Sequence, residues 1–205
     1  MLPELNRRFE GVVARQAKFL RDIGSLAPDQ LDFHPKEGAW SLCELAQHLA
    51  LVEEKTTKVL TERKVTGIAR RRVFDVLVRA PALDLYFLFG GRAKVPVKGV
   101  VPVPGVPLAD TITRWAAARA RLTLYLEEVD AASCRTIVYR HPIAGYMDIG
   151  ATLRFLTQHH DHHMRQAKRI TRAESSAGRS PPNAIAASIW NGRPRYTSAS
   201  RELAA

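Results

Sequence analysis

The feature that most constrains this sequence is a long segment in its C-terminal third that contains no helix breaker. No glycine or proline occurs from Ala151 to Ala177. Apolar residues recur along this stretch at the three- and four-residue steps of a single helix face. These residues are Ile149, Leu153, Leu156, Ala167 and Ile170. The pattern predicts a long helix that buries one face.

Four of the chain's seven histidines fall on this helix, at His159, His160, His162 and His163. Residues four apart lie one turn apart on the same side of a helix, and His159 and His163 have that spacing, with Gln166 continuing the line. Two imidazoles so placed can bind one divalent metal ion. The pair of His160 with His163 is a geometric alternative. His162 turns away from the apolar face, so we expect it to be solvated or to lie behind a ligand.

Three further helices are predicted upstream of the histidine helix. The first spans Pro3 to Ile23, the second begins after Ser41, and the third runs from Leu108 to about Val129. Ser41 precedes Glu44 by three residues, which is the spacing of a capping box, and Trp40 stands where a hydrophobic staple begins. Apolar residues recur at helical spacing in all three segments.

The connection between the second and third helices is long and irregular. The run VFDVLVRAPALDLYFLFGG predicts a short helix that breaks at Pro81, and AKVPVKGVVPVPGVPL carries too many prolines for a regular helix. We expect an extended crossover here, and such connections join parallel helices. A short extended piece is predicted at Thr136 to Tyr139, before a turn at Pro142 and Gly145. The fold class is therefore all-α, a four-helix bundle with a long crossover between helices 2 and 3.

The charge balance is basic, with 31 Lys and Arg against 20 Asp and Glu and a net charge of +11. Positive charge is spread along the chain, with one basic cluster at positions 63–72, and this charge balance raises the expectation of an acidic partner without deciding it. Nucleic acid is not expected as a partner, because no binding motif is present and no aromatic residues interleave with the cluster. The two cysteines give no disulfide framework. Neither a signal sequence nor a membrane-length apolar run occurs, which predicts a cytoplasmic protein with no membrane segment.

The composition changes after about residue 171. Residues 172–205 are rich in Ser, Ala, Pro and Arg and show no sustained hydrophobic period. We predict one bundle domain over residues 1–171, followed by a flexible tail over residues 172–205.

Three stretches of the chain resemble the DinB/YfiT-like superfamily of metal-binding four-helix bundles. They are AWSLCELAQHLALVEE at 39–54, HPIAGYMDIGATLRF at 141–155 and HHDHHMRQ at 159–166. The resemblance extends over roughly residues 1–170. In it, a Trp-Ser pair is followed seven residues later by a histidine, which places His48 as the first ligand. A helix-four histidine pair followed by Gln places His159 and His163 as the other two ligands, with Gln166 completing the motif.

The resemblance also implies a chemistry. Three neutral imidazoles leave an open coordination position on zinc or nickel, which both suit nitrogen ligands. The superfamily includes metal-dependent thiol transferases, so we expect a metal-bound thiolate of a low-molecular-weight thiol to attack a small electrophile. Metal-dependent hydrolysis is the other enzymatic reading, and whether the chain is an enzyme stays open. Glu44 or Asp161 is a candidate partner for a ligand's second ring nitrogen.

Other features of such a site are left open by the sequence. No catalytic or substrate-binding residue is assigned, although Arg154, Arg165 and Lys168 could hold the carboxylates of a thiol. The alternative interpretation is a metal-stabilised bundle without activity that binds an acidic partner or nucleic acid through residues 63–72. Bundles of this type pair through their helix faces, so a homodimer is a further expectation.

Overall fold

The computed structural model describes residues 1–62, 74–88, 98–141 and 143–177. The α-helices in these residues are α1 Pro3–Gly24, α2 Pro28–Leu31, α3 Leu42–Glu62, α4 Ala80–Leu88, α5 Leu108–Glu128 and α6 Ile149–Ser176. A two-stranded antiparallel hairpin, β1 Tyr139–His141 and β2 Gly145–Met147, precedes α6. Helices α1, α3, α5 and α6 are long, with 22, 21, 21 and 28 residues.

Two apolar clusters divide these four helices along their length. One joins the N-terminal halves of α1 and α6, at Val12 and Leu156, to the C-terminal halves of α3 and α5. The other joins the opposite halves, with Phe19 and Ala167 packed beside Trp115. Helices α1 and α6 therefore run in one direction and α3 and α5 in the other. The long crossover joins two parallel helices, and the all-α four-helix bundle is confirmed.

Local capping explains where two of the helices begin. The backbone N–H of Ser41 donates to Glu44 Oε2 at 2.9 Å, and the N–H of Glu44 donates to Ser41 Oγ at 3.2 Å, so the predicted capping box is present. At the start of α6, Asp148 accepts a 2.6 Å hydrogen bond from the N–H of Ala151. These caps set the rotational position of the side chains that follow them.

The prediction that the helix breaks at Pro81 is wrong. A π-helical turn, Asp75–Arg79, leads directly into α4, whose second residue is Pro81. The N–H of Ala80 bonds to the carbonyl of Asp75, five residues back. This wider turn accommodates a proline that has no N–H to donate.

The hairpin begins at Tyr139, at the end of the predicted extended piece, because its pairing partner lies at Gly145–Met147. Gly145 has a φ of +75°. The carboxylate of Asp75 occupies the place where a Cβ at Gly145 would stand, and it accepts a 3.2 Å bond from the N–H of Tyr146. Glycine is therefore required here both by backbone conformation and by space. The predicted turn residue Pro142 lies outside the described residues.

Helix α6 continues to Ser176, five residues past the domain boundary predicted at residue 171. The rest of the predicted tail, residues 178–205, lies outside the described residues, as do the basic cluster at 63–72 and part of the proline-rich crossover. None of the helices that the structure describes combines the length and apolarity needed to cross a membrane.

A buried ion pair lies between α3 and α5, and sequence reasoning did not find it. Glu53 and Arg119 are almost fully buried and are joined by two hydrogen bonds, of which the one from Arg119 Nη2 measures 2.7 Å. The indole N–H of Trp115 donates to the same carboxylate at 2.8 Å. Burial by itself would raise the pKa of Glu53, but the charge and hydrogen bonds of Arg119 outweigh it and lower that pKa.

Candidate metal site

Helices α3 and α6 bring three predicted ligands together. His48 comes from α3, and His159 and His163 come from successive turns of α6. One ring nitrogen from each lies within 4.8 Å of the corresponding nitrogen of the other two. All three side chains are buried. The pair on α6 follows from helix geometry alone, whereas His48 reaches it because α3 packs across α6.

Two of the three imidazoles have a fixed tautomer. His48 Nδ1 lies 2.7 Å from the carbonyl oxygen of Val100, and His163 Nδ1 lies 2.9 Å from the side-chain oxygen of Gln166. A carbonyl oxygen can only accept, so each Nδ1 carries the proton and donates it. The Nε2 atoms of His48 and His163 are therefore left with lone pairs that point into the cluster.

The three Nε2 atoms that face one another have too few protons for each of them to form a hydrogen bond. His159 Nε2 lies 3.2 Å from His48 Nε2 and 3.1 Å from His163 Nε2. A neutral His159 has at most one proton on that atom, which can satisfy only one of its two neighbours. A shared cation would satisfy all three lone pairs. Nitrogens bound at the usual zinc distance in a tetrahedron lie about 3.3 Å apart, so the residues fit one divalent ion.

The three histidines are neutral at physiological pH. Burial lowers the pKa of His48 to about 4. Burial and the charges of neighbouring histidines hold the pKa values of His159 and His163 well below the ordinary value of 6.5. Metal ligation requires the unprotonated imidazole, so no proton has to be removed from these rings before an ion can bind.

Aromatic side chains surround the cluster. The Trp40 ring centroid lies 4.8 Å from that of His48, and the rings of Phe87 and Phe155 lie 5.8 and 5.5 Å from that of His159. Apolar walls of this kind exclude water and strengthen electrostatic interactions inside the site.

Helix α4 forms one of these walls and is tied to α6 by two arginines. Arg165 donates to the carbonyl of Phe87 at 2.5 Å, and Arg154 pairs with Asp84. Both guanidinium groups bind α4 through one nitrogen each, and a role for Arg154, Arg165 or Lys168 in holding a substrate carboxylate stays a prediction.

Of the two alternatives expected for His162, the solvated one does not hold, and a place behind a histidine of the cluster agrees with the structure. It is 8% exposed, its Nδ1 lies 3.4 Å from the carbonyl of Phe87, and its ring stacks on Tyr86 with centroids 6.1 Å apart. Helix α4 covers this side of α6, and the position of α4 could not be derived from its sequence. The ring of His162 lies beside His163, with centroids 4.9 Å apart, outside the three-histidine group.

His160 does not replace His159. Its ring stacks on Trp115 with centroids 5.6 Å apart, and its Nδ1 donates to the carbonyl of Leu156 at 2.8 Å. It faces the buried ion pair of Glu53 rather than the histidine cluster, and the charge of Glu53 partly offsets the lowering of its pKa by burial. The alternative pair of His160 with His163 is therefore not assembled.

The two carboxylates considered as partners of a ligand also lie elsewhere. Glu44 takes part in the capping box of α3, and Asp161 accepts a 2.8 Å bond from Arg15. The acceptor for His48 is instead the backbone carbonyl of Val100. No sequence signal marks this residue, since any residue at that point in the crossover would supply the same oxygen.

A pocket of about 180 Å³ lies beside the N-terminal part of α3, where Cys43, Gln47 and Val103 are among the residues that line it. His34 is among its lining residues, but none of the three clustered histidines is. Burial and a hydrogen bond to Asp32 raise the pKa of Cys43 to about 12, so this thiol stays protonated and is a poor nucleophile.

The chain is similar to one family of known proteins and to solved structures. The model of the DinB superfamily matches residues 12–167. YfiT from Bacillus subtilis, described as a probable metal-dependent hydrolase with an unusual four-helix bundle topology, is 15% identical, with a TM-score of 0.54 over 85% of this chain and 90% of its own. TT2238, described as a four-helix bundle protein, is 22% identical, with a TM-score of 0.49 over 81% of this chain and 97% of its own. No curated protein matches the chain.

Proposed function

Because the chain belongs to the DinB superfamily, we propose that His48, His159 and His163 bind one divalent metal ion, zinc or nickel, in a catalytic site. The observation that carries this proposal is the shortage of protons among the three Nε2 atoms. Their lone pairs converge in a buried space, where unsatisfied polar atoms are costly. A cation removes that cost, and three protein ligands leave a position open for a substrate atom.

The reaction we propose is transfer of a low-molecular-weight thiol to a small electrophile. A divalent ion bound there would lower the pKa of a thiol, so that it reacts as a thiolate at neutral pH. The thiol proton would pass to solvent, the sulfur would form a bond to the electrophilic carbon, and the leaving group on that carbon would depart with the electron pair of the broken bond. Neither Cys43 nor Cys134 belongs to the histidine group, so the thiol must come from a separate molecule.

Hydrolysis is the second candidate, because YfiT is described as a probable metal-dependent hydrolase. Metal-dependent hydrolases often use a carboxylate as general base. Among the described residues no carboxylate joins the histidine group, and Glu44, Glu53 and Asp161 are each engaged elsewhere. A thiol bound to a metal ion loses its proton more readily than a bound water does, so it depends less on such a base. This difference favours thiol transfer.

The first test is the metal content of the purified protein, measured by mass spectrometry for wild type, His48→Ala and His163→Ala. We expect about one ion per chain in the wild type and strong loss in both variants. His162→Ala is the matched control, since His162 is a buried neighbour outside the group, and it should retain the ion. A wild type that stays metal-free after incubation with zinc and nickel would refute the proposal.

The second test concerns the reaction. The metal-loaded protein is incubated with a panel of small thiols and an alkylating electrophile, and loss of free thiol is followed. The same preparation is given activated esters and amides without thiol. Thiol consumption that requires the metal and His48 supports the transferase, whereas metal-dependent ester or amide cleavage alone would replace it with a hydrolase.

A further inference from the structure

The crossover between α3 and α5 returns to the histidine cluster before α5 begins. Residues 98–106, named here the return segment, start with a 3₁₀ turn, Lys98–Val100, and then follow an irregular path. Within the described part of the chain, two hydrogen bonds join the return segment to α3. His48 Nδ1 donates to the carbonyl of Val100 at 2.7 Å, and the N–H of Val103 donates to Gln47 Oε1 at 2.5 Å.

The first of these bonds decides which nitrogen of His48 can face an ion. While Val100 accepts the Nδ1 proton, Nε2 keeps its lone pair and points at His159. If this carbonyl moved away, the proton could occupy either nitrogen, and part of the population would present an N–H to the cluster. The position of one backbone oxygen therefore controls one ligand.

His163 does not depend on such a distant group. Its Nδ1 donates to Gln166, which lies one turn further along the same helix. Val100 instead ends the 3₁₀ turn of the return segment and is followed by an irregular path, so its carbonyl is positioned by the packing of its buried side chain and by contacts that the return segment makes with other elements.

The hydrogen bond between the Val103 N–H and Gln47 is one of these contacts. Pro102 and Pro104 flank Val103 and have no N–H, so Val103 is the backbone donor between them. Its acceptor, Gln47, is 7% exposed and directly precedes His48 in α3. Successive residues of a helix point about 100° apart. Gln47 and His48 therefore bind two different residues of the return segment, Val103 and Val100, which are three positions apart.

We propose that Gln47 is a positioning residue for the metal site, holding the return segment so that the Val100 carbonyl fixes the His48 tautomer. The inference rests on the proposed metal-binding function. In the described part of the chain Gln47 accepts its hydrogen bond from Val103 and not from a histidine, so its effect on the site is transmitted by the backbone between Val103 and Val100. Partners behind metal ligands commonly change metal affinity by about 10- to 100-fold when removed.

The test uses three variants of the full chain. Gln47→Met keeps the size of the side chain but removes the acceptor, and Gln47→Glu restores an acceptor for the Val103 N–H. Val103→Ala is the matched control, because that side chain is 63% exposed and the substitution leaves the N–H in place. Circular dichroism establishes that each variant is folded.

Two quantities are measured for each variant. Nitrogen-15 NMR of the metal-free protein reports the tautomer of His48, and competition with a chromophoric chelator gives the dissociation constant for zinc. We expect Gln47→Met to show a mixed His48 tautomer and zinc binding weakened by about 10-fold or more. Gln47→Glu should recover both properties, and Val103→Ala should resemble the wild type.

The inference is overturned if Gln47→Met keeps both the wild-type tautomer and the wild-type zinc affinity, or if Gln47→Glu is as impaired as Gln47→Met. Failure of the proposed function looks different, because the wild type itself would then bind no zinc. In that case the tautomer of metal-free His48 in Gln47→Met still decides whether Gln47 positions this ring.

Discussion

Among the buried polar residues of helix α3, His48 and Glu53 lie little more than one turn apart. Glu53 faces α5, where Arg119 supplies the opposite charge and Trp115 a further donor. His48 faces α6, where His159 and His163 offer more lone pairs and no additional cation. The first group is nearly complete within the protein chain, whereas the second is complete only with an ion. Buried polar groups that lack partners are costly, so the difference separates a structural pair from a binding site.

Breaking the Glu53 pair should give the largest change in stability. Arg119→Met leaves a buried carboxylate without its counter-charge, and we expect it to lower the free energy of unfolding by about 3–5 kcal/mol in urea denaturation. The double variant Glu53→Met with Arg119→Met should lose less than the sum of the two single variants, because no charge is left unpaired.

The neighbouring pair of Glu54 and Arg114 provides a matched control on the same two helices. This pair is partly exposed to solvent, so Arg114→Met should cost no more than about 1 kcal/mol. Equal losses for Arg114→Met and Arg119→Met would contradict the view that burial makes the Glu53 pair critical. All these variants should retain the metal if they stay folded.

Acid should distinguish the two groups by pH range. The unfolded chain protonates His48 near pH 6.5, while the folded, metal-free protein holds it neutral down to about pH 4. Between these values the unfolded state binds more protons, so stability falls as the pH falls. His48 alone contributes a loss of about 3 kcal/mol by pH 4.

The pKa of Glu53 is lowered, so its contribution is lost only below its ordinary value of 4.5. Urea denaturation of chelator-treated protein from pH 8 to pH 4 measures how the free energy of unfolding changes over the range in which His48 contributes. His48→Gln should make the fall of this free energy with pH less steep. Stability that does not change between pH 6.5 and pH 4.5 would show that the histidines are not held neutral by the fold.

The smallest expected effect sharpens the comparison at one hydrogen bond. Trp115→Phe removes the donor to Glu53 but keeps an aromatic ring beside His160. A hydrogen bond to a charged group is worth about 2 kcal/mol, and we expect a loss of this size in thermal or urea unfolding. Unchanged metal content in Trp115→Phe would show that the Glu53 ion pair and the histidine cluster are independent. Loss of the ion in a folded Trp115→Phe protein would show that they are coupled through His160.

Much of the helical framework follows from the sequence, because its signals are local. Apolar spacing predicts the four long helices, and the Ser41–Glu44 capping box marks the start of α3. The placing of His159 and His163 on one side of α6 needs only the four-residue spacing of a helix. The pairing of His48 with them came from resemblance to a family, since nothing local joins positions 111 residues apart.

Other features depend on how the helices pack, which the sequence did not predict. Pro81 stays helical because a π turn precedes it, and His162 is buried because α4 lies across α6. The acceptor for His48 is a backbone oxygen, which no residue type announces.

The same holds for the burial of Glu53 against Arg119. A glutamate and an arginine in helices usually predict solvated surface, and only the packing of α3 on α5 removes them from water. The sequence by itself thus determined which side chains share a helix face. The tertiary structure decided which helix faces pack together, and this packing determines which side chains are buried and which partners they bind.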